Sequence, residues 1–283
     1  MATNTPFGQR LGLVLEGGAM RGIYTAGVLD VFLEAGIMPD VVVGVSAGAL
    51  HGCSYVAGQK GRSIRYYRKY RSDKHFMGLY SLLTTGDVVG TKFCYEDIPL
   101  RLDPFNEAAF EKAPVDFYVT VTNVRTGKPE YILCDELKVG SKMDVIRAGA
   151  SMPLCSKMVE WNGNLYLDGG VSDSIPYAKM KDFGCRKSIV VLTQPAGYLK
   201  QPAAMAPFEA MYRKYPAFVE AMRGRDQMYN TEVCAVEQAA KQGDVFLIRP
   251  SKLLHVGRME HDIEVLNAQY ELCLLYTSPS PRD

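Results

Sequence analysis

The sequence predicts an α/β fold of three layers, with helices on both faces of a mainly parallel central sheet. A short apolar run, Leu11 to Leu15, ends in a glycine loop. A second run, Val41 to Val43, leads into a Gly-x-Ser-x-Gly motif and then into small residues typical of a helix. Apolar residues between the two runs recur at helical spacing. Strand, helix and strand therefore follow one another, and a right-handed parallel crossover is expected.

The first helix is predicted to begin at Met20 and to end at Ala35-Gly36, ahead of Pro39. In a parallel crossover, the loops that follow the two strands meet at the same carboxyl edge of the sheet. We therefore expect residues 17–22 to lie close to Ser46.

Two segments after the serine helix leave alternatives open. Residues 62–74 are basic and aromatic, which fits either a surface for lipid phosphates or a solvated helix face with extended cationic side chains. We favour the solvated face. Residues 76–89 are apolar but contain Gly78 and Gly86, so they form either a mobile cover over the site or a segment facing the core. We favour the core.

The middle of the chain predicts two hairpins separated by a helix. The first joins Phe117–Thr122 to Glu130–Leu133, and a helix follows from Met143 to Ala150. The second hairpin turns at Asn162-Gly163 and leads directly into Asp168-Gly169-Gly170.

The last third predicts a buried strand, a long helical region and a final strand. These are Ser188–Leu192, Met205–Ala240 with an interruption near Tyr215-Pro216, and Val245–Ile248. We predict a catalytic core over 11–195, a mostly helical part over 196–275 that packs on it, and a non-native or disordered tail over 276–283, where Ser-Pro repeats interrupt the helical pattern.

Composition excludes several classes of protein. The 32 basic and 31 acidic residues nearly cancel, so we expect no nucleic-acid partner. The seven cysteines are odd in number, dispersed and free of C-x-x-C spacing, which favours free thiols in a reducing compartment over disulfides or zinc. No signal peptide or membrane span is recognisable, and we predict a cytoplasmic protein with peripheral membrane contact as an option.

The Gly-x-Ser-x-Gly motif is typical of a nucleophile elbow. Glycines on either side remove side chains from a sharp turn, so that Ser46 can hold a strained conformation with its hydroxyl exposed. The following helix directs its N-terminal N–H groups at the same point, where they favour negative charge. The residues assigned to the elbow besides Ser46 are Gly44, Val45, Ala47 and Gly48.

The loop after the first strand fits an oxyanion hole. It lacks the third-position glycine of a dinucleotide fingerprint and the Lys and Ser/Thr of a P-loop. Consecutive small residues that open a helix do leave several backbone N–H groups available for a tetrahedral intermediate. The residues assigned to this loop are Gly17, Gly18, Ala19, Met20, Arg21 and Gly22.

The serine also needs a base. His51 lies five residues after Ser46 on the same predicted helix and points to another face, whereas His255 and His261 have no recognisable site context. Asp168 lies at a predicted strand end before two glycines. As a base it requires partial burial that raises its proton affinity.

Three stretches together resemble the patatin-like phospholipase family: the 17–22 loop, the motif at 44–48 and Asp168-Gly169-Gly170. The resemblance runs from about Leu11 to Leu192, and the remainder is similar to a bacterial subgroup. It implies the patatin-like fold and lipid acyl hydrolysis by a Ser46–Asp168 dyad, with neither metal nor cofactor. It also implies that the 17–22 loop is the oxyanion hole.

The sequence departs from the family pattern at two places. Ala19 replaces a usual glycine, a small change if its backbone angles are ordinary. Asp173 and Ser174 stand where asparagine is common, which puts an orienting role in doubt.

We therefore predict a serine acyl hydrolase that acts on lipid acyl esters through an acyl-enzyme. A non-catalytic lipid-binding protein and an acyltransferase remain as alternatives.

Overall fold

The computed structural model describes residues 10–253, 256–257 and 260–277, with side chains to residue 272. Its strands form one eight-stranded sheet in the order β5-β6-β3-β2-β1-β7-β8, and β4 pairs with β3. The strands are β1 Arg10–Leu15, β2 Val41–Val45, β3 Asp116–Asn123, β4 Pro129–Leu133, β5 Val159–Trp161, β6 Asn164–Asp168, β7 Cys185–Val191 and β8 Val245–Ile248. Strands β3, β2, β1, β7 and β8 are parallel, whereas β4, β5 and β6 pair antiparallel. The predicted mainly parallel sheet is confirmed.

Helices lie on both sides of this sheet. They are α1 Ile23–Glu34, α2 Ala47–Val56, α3 Arg62–Tyr70, α4 Leu79–Thr85, α5 Glu107–Lys112, α6 Met143–Gly149, α7 Ala206–Met211, α8 Pro216–Arg223, α9 Arg225–Lys241 and α10 Ile263–Thr277. A π-helical segment, Phe93–Leu102, follows α4 and was not predicted. Both predicted hairpins are present, and Pro216 opens α8 where the interruption was expected.

Alternate residues of the central strands enter different cores. Leu13 and Val42 belong to the apolar cluster on one side of the sheet, whereas Val14, Val41 and Val43 belong to the cluster on the other. Successive side chains of a strand point to opposite faces, so a strand buried on both faces reads as an unbroken apolar run. This accounts for the predicted three layers.

Segment 76–89 faces the core only in part, whereas we favoured a core-facing segment from its sequence. Its ends face the core, since Phe76 and Val88 are buried, but the side chains of Leu79 and Leu83 in α4 are 70% and 76% exposed. A bridge between Met77 and Val89 closes the base of this excursion. The expectation of a segment that faces the core throughout is therefore wrong for α4.

Segment 62–74 is also less solvated than we favoured. Arg62 and Arg71 are buried, and Arg62 pairs with buried Asp103. Of the predicted tail, residues 276–277 end α10, and 278–283 lie outside the described residues. None of the helices in the described part of the chain combines the length and hydropathy of a membrane span.

Candidate active site

Ser46 occupies the turn between β2 and α2 with φ 53° and ψ −123°. A positive φ is strained for serine, by about 1–3 kcal/mol. The glycines on either side make the turn sterically feasible. A Cβ on Gly44 would lie 2.5 Å from the Cα of Ala49, and one on Gly48 would lie 2.4 Å from the carbonyl oxygen of Leu15. The predicted elbow geometry is therefore present.

The sheet register brings Asp168 to Ser46. Val45 pairs with Thr120 of β3, and Asp168 pairs with the next residue, Val121. Two segments distant in sequence thus end beside each other. Ser46 and Asp168 line the same cavity, and the Ser46 hydroxyl is among the groups that act on the pKa of the carboxylate.

The surroundings of Asp168 adjust its proton affinity. Its Oδ1 accepts a hydrogen bond from the N–H of Gly170 at 2.8 Å. Burial raises the pKa of Asp168, and this is opposed by Ser46, by the positive charge of Arg225 and by the Gly170 N–H. A raised pKa strengthens a carboxylate as a base.

The 17–22 loop packs directly against the elbow. A Cβ on Gly17 would lie 2.7 Å from the Cβ of Ser46, and Gly17, Gly18 and Ala19 line the same cavity as Ser46 and Asp168. Within the described part of the chain, no backbone carbonyl accepts the N–H of Gly17 or Gly18. Ala47, as the first residue of α2, also has an N–H without an intrahelical acceptor.

The other members of the predicted site occupy different positions around the two cavities. Met20 directs its side chain into a different, apolar cavity, and Gly22 packs under Ala47 and His51 without lining either cavity. Arg21 lines the Asp168 cavity, and Gly169 begins the turn that presents the Gly170 N–H.

A buried polar network that the sequence did not reveal holds the 17–22 loop. The carboxylate of Glu16 accepts hydrogen bonds from the N–H of Thr193 at 2.6 Å and from the hydroxyl of Tyr229 at 3.0 Å. The Thr193 hydroxyl donates to the carbonyl oxygen of Gly17 at 3.2 Å. Burial raises the pKa of Glu16. The only local sign of this network in the sequence was a charged residue, Glu16, directly after the apolar run of β1.

Ala19 departs from the expectation of ordinary backbone angles. Its φ is 47°, in the left-handed region that favours glycine. The replacement of the usual family glycine is therefore not a small change, because a Cβ at such a position costs about 1 kcal/mol.

Ala19→Gly is expected to raise the free energy of unfolding by about 0.5–1 kcal/mol, since relief of the strain exceeds the added chain entropy. Urea unfolding measures the change. Ala108→Gly, at the exposed second residue of α5, is the control and should lower stability by a similar amount. Loss of stability in both variants would show that the Ala19 conformation carries no strain.

Two cavities meet at Ser46, with volumes of about 920 and 970 Å³ including their open mouths. The first, the apolar cavity, is lined by residues such as Leu50, Tyr67, Phe76, Tyr95 and Ile146. The second, the polar cavity, is lined by residues such as Glu16, Arg21, Asp168, Lys200, Arg225 and Tyr229. Ser46 therefore lies between the apolar cavity and the polar cavity.

Histidine does not contribute to this arrangement in the described part of the chain. His51 is buried, its ring nitrogens have no described partner, and burial lowers its pKa to about 4. His75 and His261 are exposed, and no described histidine lines either cavity. His255 lies outside the described residues. Nor do the described residues contain a cluster of side chains able to hold a metal.

Asp173, at the second place where the sequence departs from the family pattern, belongs to a pair of carboxyl side chains. Asp173 accepts a hydrogen bond from the Tyr131 hydroxyl and lies beside Glu232 of α9. Glu232 accepts the N–H of Ser174 at 3.2 Å and of Ile175 at 2.9 Å. Burial, together with the charge of Asp173, raises the pKa of Glu232 to about 9. One proton therefore stays on this pair at neutral pH.

The free energy of unfolding is expected to fall as the pH rises from about 5 to 9. Glu232 titrates near its ordinary value of 4.5 when unfolded, so over this range the folded chain holds a proton that the unfolded chain lacks. Glu232→Gln should remove on the order of 1–2 kcal/mol of this fall, less than a fully buried carboxyl would, because the residue is partly exposed. Urea unfolding at several pH values measures it, and Glu237→Gln on α9 is the control. An unchanged slope in Glu232→Gln would contradict the assignment.

The chain combines a mainly parallel α/β sheet with a serine on a strained strand-to-helix turn and a buried aspartate in the same cavity. These features place it in the class of α/β proteins with a serine elbow. The patatin-like phospholipase profile matches residues 13–180, and the chain belongs to that family. A second profile, a domain of unknown function (DUF6363), matches residues 215–277.

Individual relatives match this chain over different lengths. The uncharacterized protein YjjU of Escherichia coli strain K12 is 28% identical over 93% of this chain and 74% of YjjU. Lysophospholipase nte1 of Aspergillus terreus is 30% identical over 62% of this chain, which spans 11% of that protein. The crystal structure of VipD from Legionella pneumophila aligns with a TM-score of 0.43 at 13% identity, over 96% of this chain and 69% of VipD.

Proposed function

We propose that this protein is a serine acyl hydrolase that cleaves fatty acyl esters of phospholipids or related lipids. The observation that carries the proposal is the position of Ser46 at the junction of an apolar and a polar cavity, where it lines the polar cavity together with the buried Asp168. Membership of the patatin-like phospholipase family and the lysophospholipase relatives support a lipid substrate.

The reaction begins with attack of the Ser46 hydroxyl on the ester carbonyl while Asp168 accepts its proton. Negative charge on the carbonyl oxygen is stabilised by the N–H groups of the 17–22 loop and of Ala47. The C–O bond to the alcohol then breaks, and Asp168 returns the proton to the leaving oxygen. Water activated by Asp168 hydrolyses the acyl-enzyme and releases the fatty acid.

The apolar cavity is the compartment for the acyl chain. Its walls come from α2, α3, the π-helical segment and α6, and they are largely aliphatic or aromatic. Its charged lining residue in the described structure, Arg62, is paired with Asp103 at 3.4 Å. Burial of chain methylenes here contributes about 0.8 kcal/mol each.

The test is release of fatty acid from a lysophospholipid, together with labelling of Ser46 by a fluorophosphonate probe. Turnover with labelling at Ser46 supports the proposal. Binding of lipid without labelling would instead favour a non-catalytic lipid-binding protein, and transfer of the acyl group to an added alcohol in preference to water would favour an acyltransferase.

Contact with a lipid surface is part of the proposal. Helix α4 exposes Leu79, Tyr80, Leu82 and Leu83, and both residues of the bridge at its base, Met77 and Val89, line the apolar cavity. The cations of Lys74 and Lys157 flank the helix, 4.6 Å from the Tyr80 ring and 2.6 Å from the Thr85 carbonyl oxygen. Exposed leucines beside lysines fit an anionic bilayer at the entrance for the acyl chain.

The double variant Leu79→Ser/Leu83→Ser is expected to bind vesicles of phosphatidylglycerol and phosphatidylcholine about tenfold more weakly or worse, because two large apolar side chains no longer insert. Vesicle sedimentation measures the change. Phe246→Ser, at a 68% exposed position on β8, is the control and should bind normally. Unchanged binding of the double variant would contradict the role of α4.

The cysteines support a reducing compartment such as the cytoplasm as the site of action. The six whose side chains are described, Cys53, Cys94, Cys134, Cys155, Cys185 and Cys234, are free thiols.

A further inference from the structure

We propose that the polar cavity binds a phosphate on the alcohol side of the ester, and that Lys200 and Arg225 confer this preference. The inference rests on the proposed function and specifies its substrates as acyl esters of glycerol phosphates. It also gives a role to the chain beyond residue 180, where the matched family profile ends.

The two cavities determine the orientation of a bound ester. With the ester carbonyl at Ser46 and the acyl chain in the apolar cavity, the leaving alcohol has to occupy the polar cavity. The substituent on that alcohol is therefore the part of the substrate that meets the charged lining.

The charges of the polar cavity favour an anion. Its described lining includes three basic side chains, Arg21, Lys200 and Arg225, and two acidic ones, Glu16 and Asp168. Glu16 already accepts hydrogen bonds from Thr193 and Tyr229, and Asp168 from Gly170. The charges of Arg21, Lys200 and Arg225 also act on these two acids. Because the basic residues outnumber the acids, a phosphate gains more from this lining than an uncharged glycerol does.

The two cations from the C-terminal region are held in place before substrate arrives. The backbone N–H and carbonyl of Lys200 exchange hydrogen bonds with the side chain of Asn230 at 2.9 and 3.1 Å. The Lys200 ammonium lies 4.2 Å from the centre of the Tyr229 ring. Arg225 donates from Nε to the carbonyl oxygen of Gly170 at 2.6 Å. Binding therefore orders few additional degrees of freedom.

Helix α9 provides this arrangement. Arg225, Tyr229 and Asn230 all belong to it, and it lies within the region matched by the domain of unknown function. The same helix anchors Glu16 through Tyr229. The C-terminal region thus completes the wall of the cavity on the side of the leaving group.

The experiment compares two esters with the same acyl chain, 1-oleoylglycerol 3-phosphate and uncharged 1-oleoylglycerol, in mixed detergent micelles. Wild type should hydrolyse the phosphate ester with the higher kcat/KM. Lys200→Met should lower kcat/KM for the phosphate ester about tenfold, mainly through KM, and change the uncharged ester less than about twofold. Lys200→Arg should retain the preference. Lys241→Met, exposed near the end of α9, is the matched control and should behave as wild type.

Equal loss on both esters in Lys200→Met, or no preference in wild type, would overturn the phosphate site while leaving the hydrolase intact. Glycerol 3-phosphate should inhibit more strongly than inorganic phosphate. Equal inhibition would assign the site to free phosphate and overturn the head-group assignment.

A binding measurement separates this inference from the proposed function. Calorimetry with Ser46→Ala should show that 1-oleoylglycerol 3-phosphate binds about tenfold more weakly once Lys200→Met is added. If Lys200→Met weakened binding in this way but wild type hydrolysed neither ester, the proposed hydrolase activity would be refuted and the phosphate site would stand. If the affinity for 1-oleoylglycerol 3-phosphate were the same with and without Lys200→Met, the phosphate site would be refuted and the proposed hydrolase activity would stand.

Discussion

Ser46→Gly is expected to abolish ester hydrolysis and to make the protein more stable. Activity falls by about 10⁴-fold or more because the attacking hydroxyl is lost. Stability rises because glycine adopts the positive φ of the turn without the strain that serine carries there. Relief of about 1–2 kcal/mol corresponds to an increase of roughly 2–6 °C in Tm.

Ser46→Ala isolates the two contributions. It removes the hydroxyl but keeps a Cβ, so we expect the same loss of hydrolysis with a Tm close to that of wild type. Fatty-acid release and thermal melting on the three proteins make the comparison. If Ser46→Gly melted at or below the temperature of Ser46→Ala, the turn would hold no strain at this residue.

Asp168→Asn is expected to lower kcat/KM by about 10³-fold with the fold preserved. The amide can still accept the hydrogen bond from Gly170, but it cannot take the proton of Ser46. His255→Ala and His261→Ala should retain activity, since we assign no histidine to the reaction. Loss of turnover in either folded histidine variant, with activity retained in Asp168→Asn, would support a conventional triad instead.

The pH profile provides a second test of the same residue. The base works when ionised, so activity should fall as the pH falls through the pKa of Asp168. Because burial raises that pKa, the acid limb of kcat/KM should lie above the ordinary aspartate value of 3.8. A profile that stays flat down to pH 4 would contradict this environment for Asp168.

The elbow and the parallel sheet could be predicted because local sequence determines them. A β-branched run marks a buried strand, and glycines on both sides of Ser46 mark a turn with no room for side chains. The position of Asp168 at a strand end could be predicted because a hairpin signal leads straight to it. These features depend on neighbours within a few residues.

The remainder of the site depends on packing between distant segments. Glu16 and Tyr229 meet although 213 residues separate them, and Lys200 and Arg225 belong to no motif. The positive φ of Ala19 and the exposure of Leu83 are set by the tertiary structure around them. No residue pattern near these positions distinguishes them from ordinary loop or helix residues.

The central claim is that Asp168 acts on Ser46 without an imidazole, and the chain contains only four histidines with which to test it. The decisive measurement is the rate at which a fluorophosphonate labels Ser46 in a folded variant with His51→Leu, His75→Ala, His255→Ala and His261→Ala combined. We predict labelling at a rate near that of wild type, and almost none in Asp168→Asn. A histidine-free protein that stays folded but unlabelled, beside an Asp168→Asn protein that labels normally, would contradict the account.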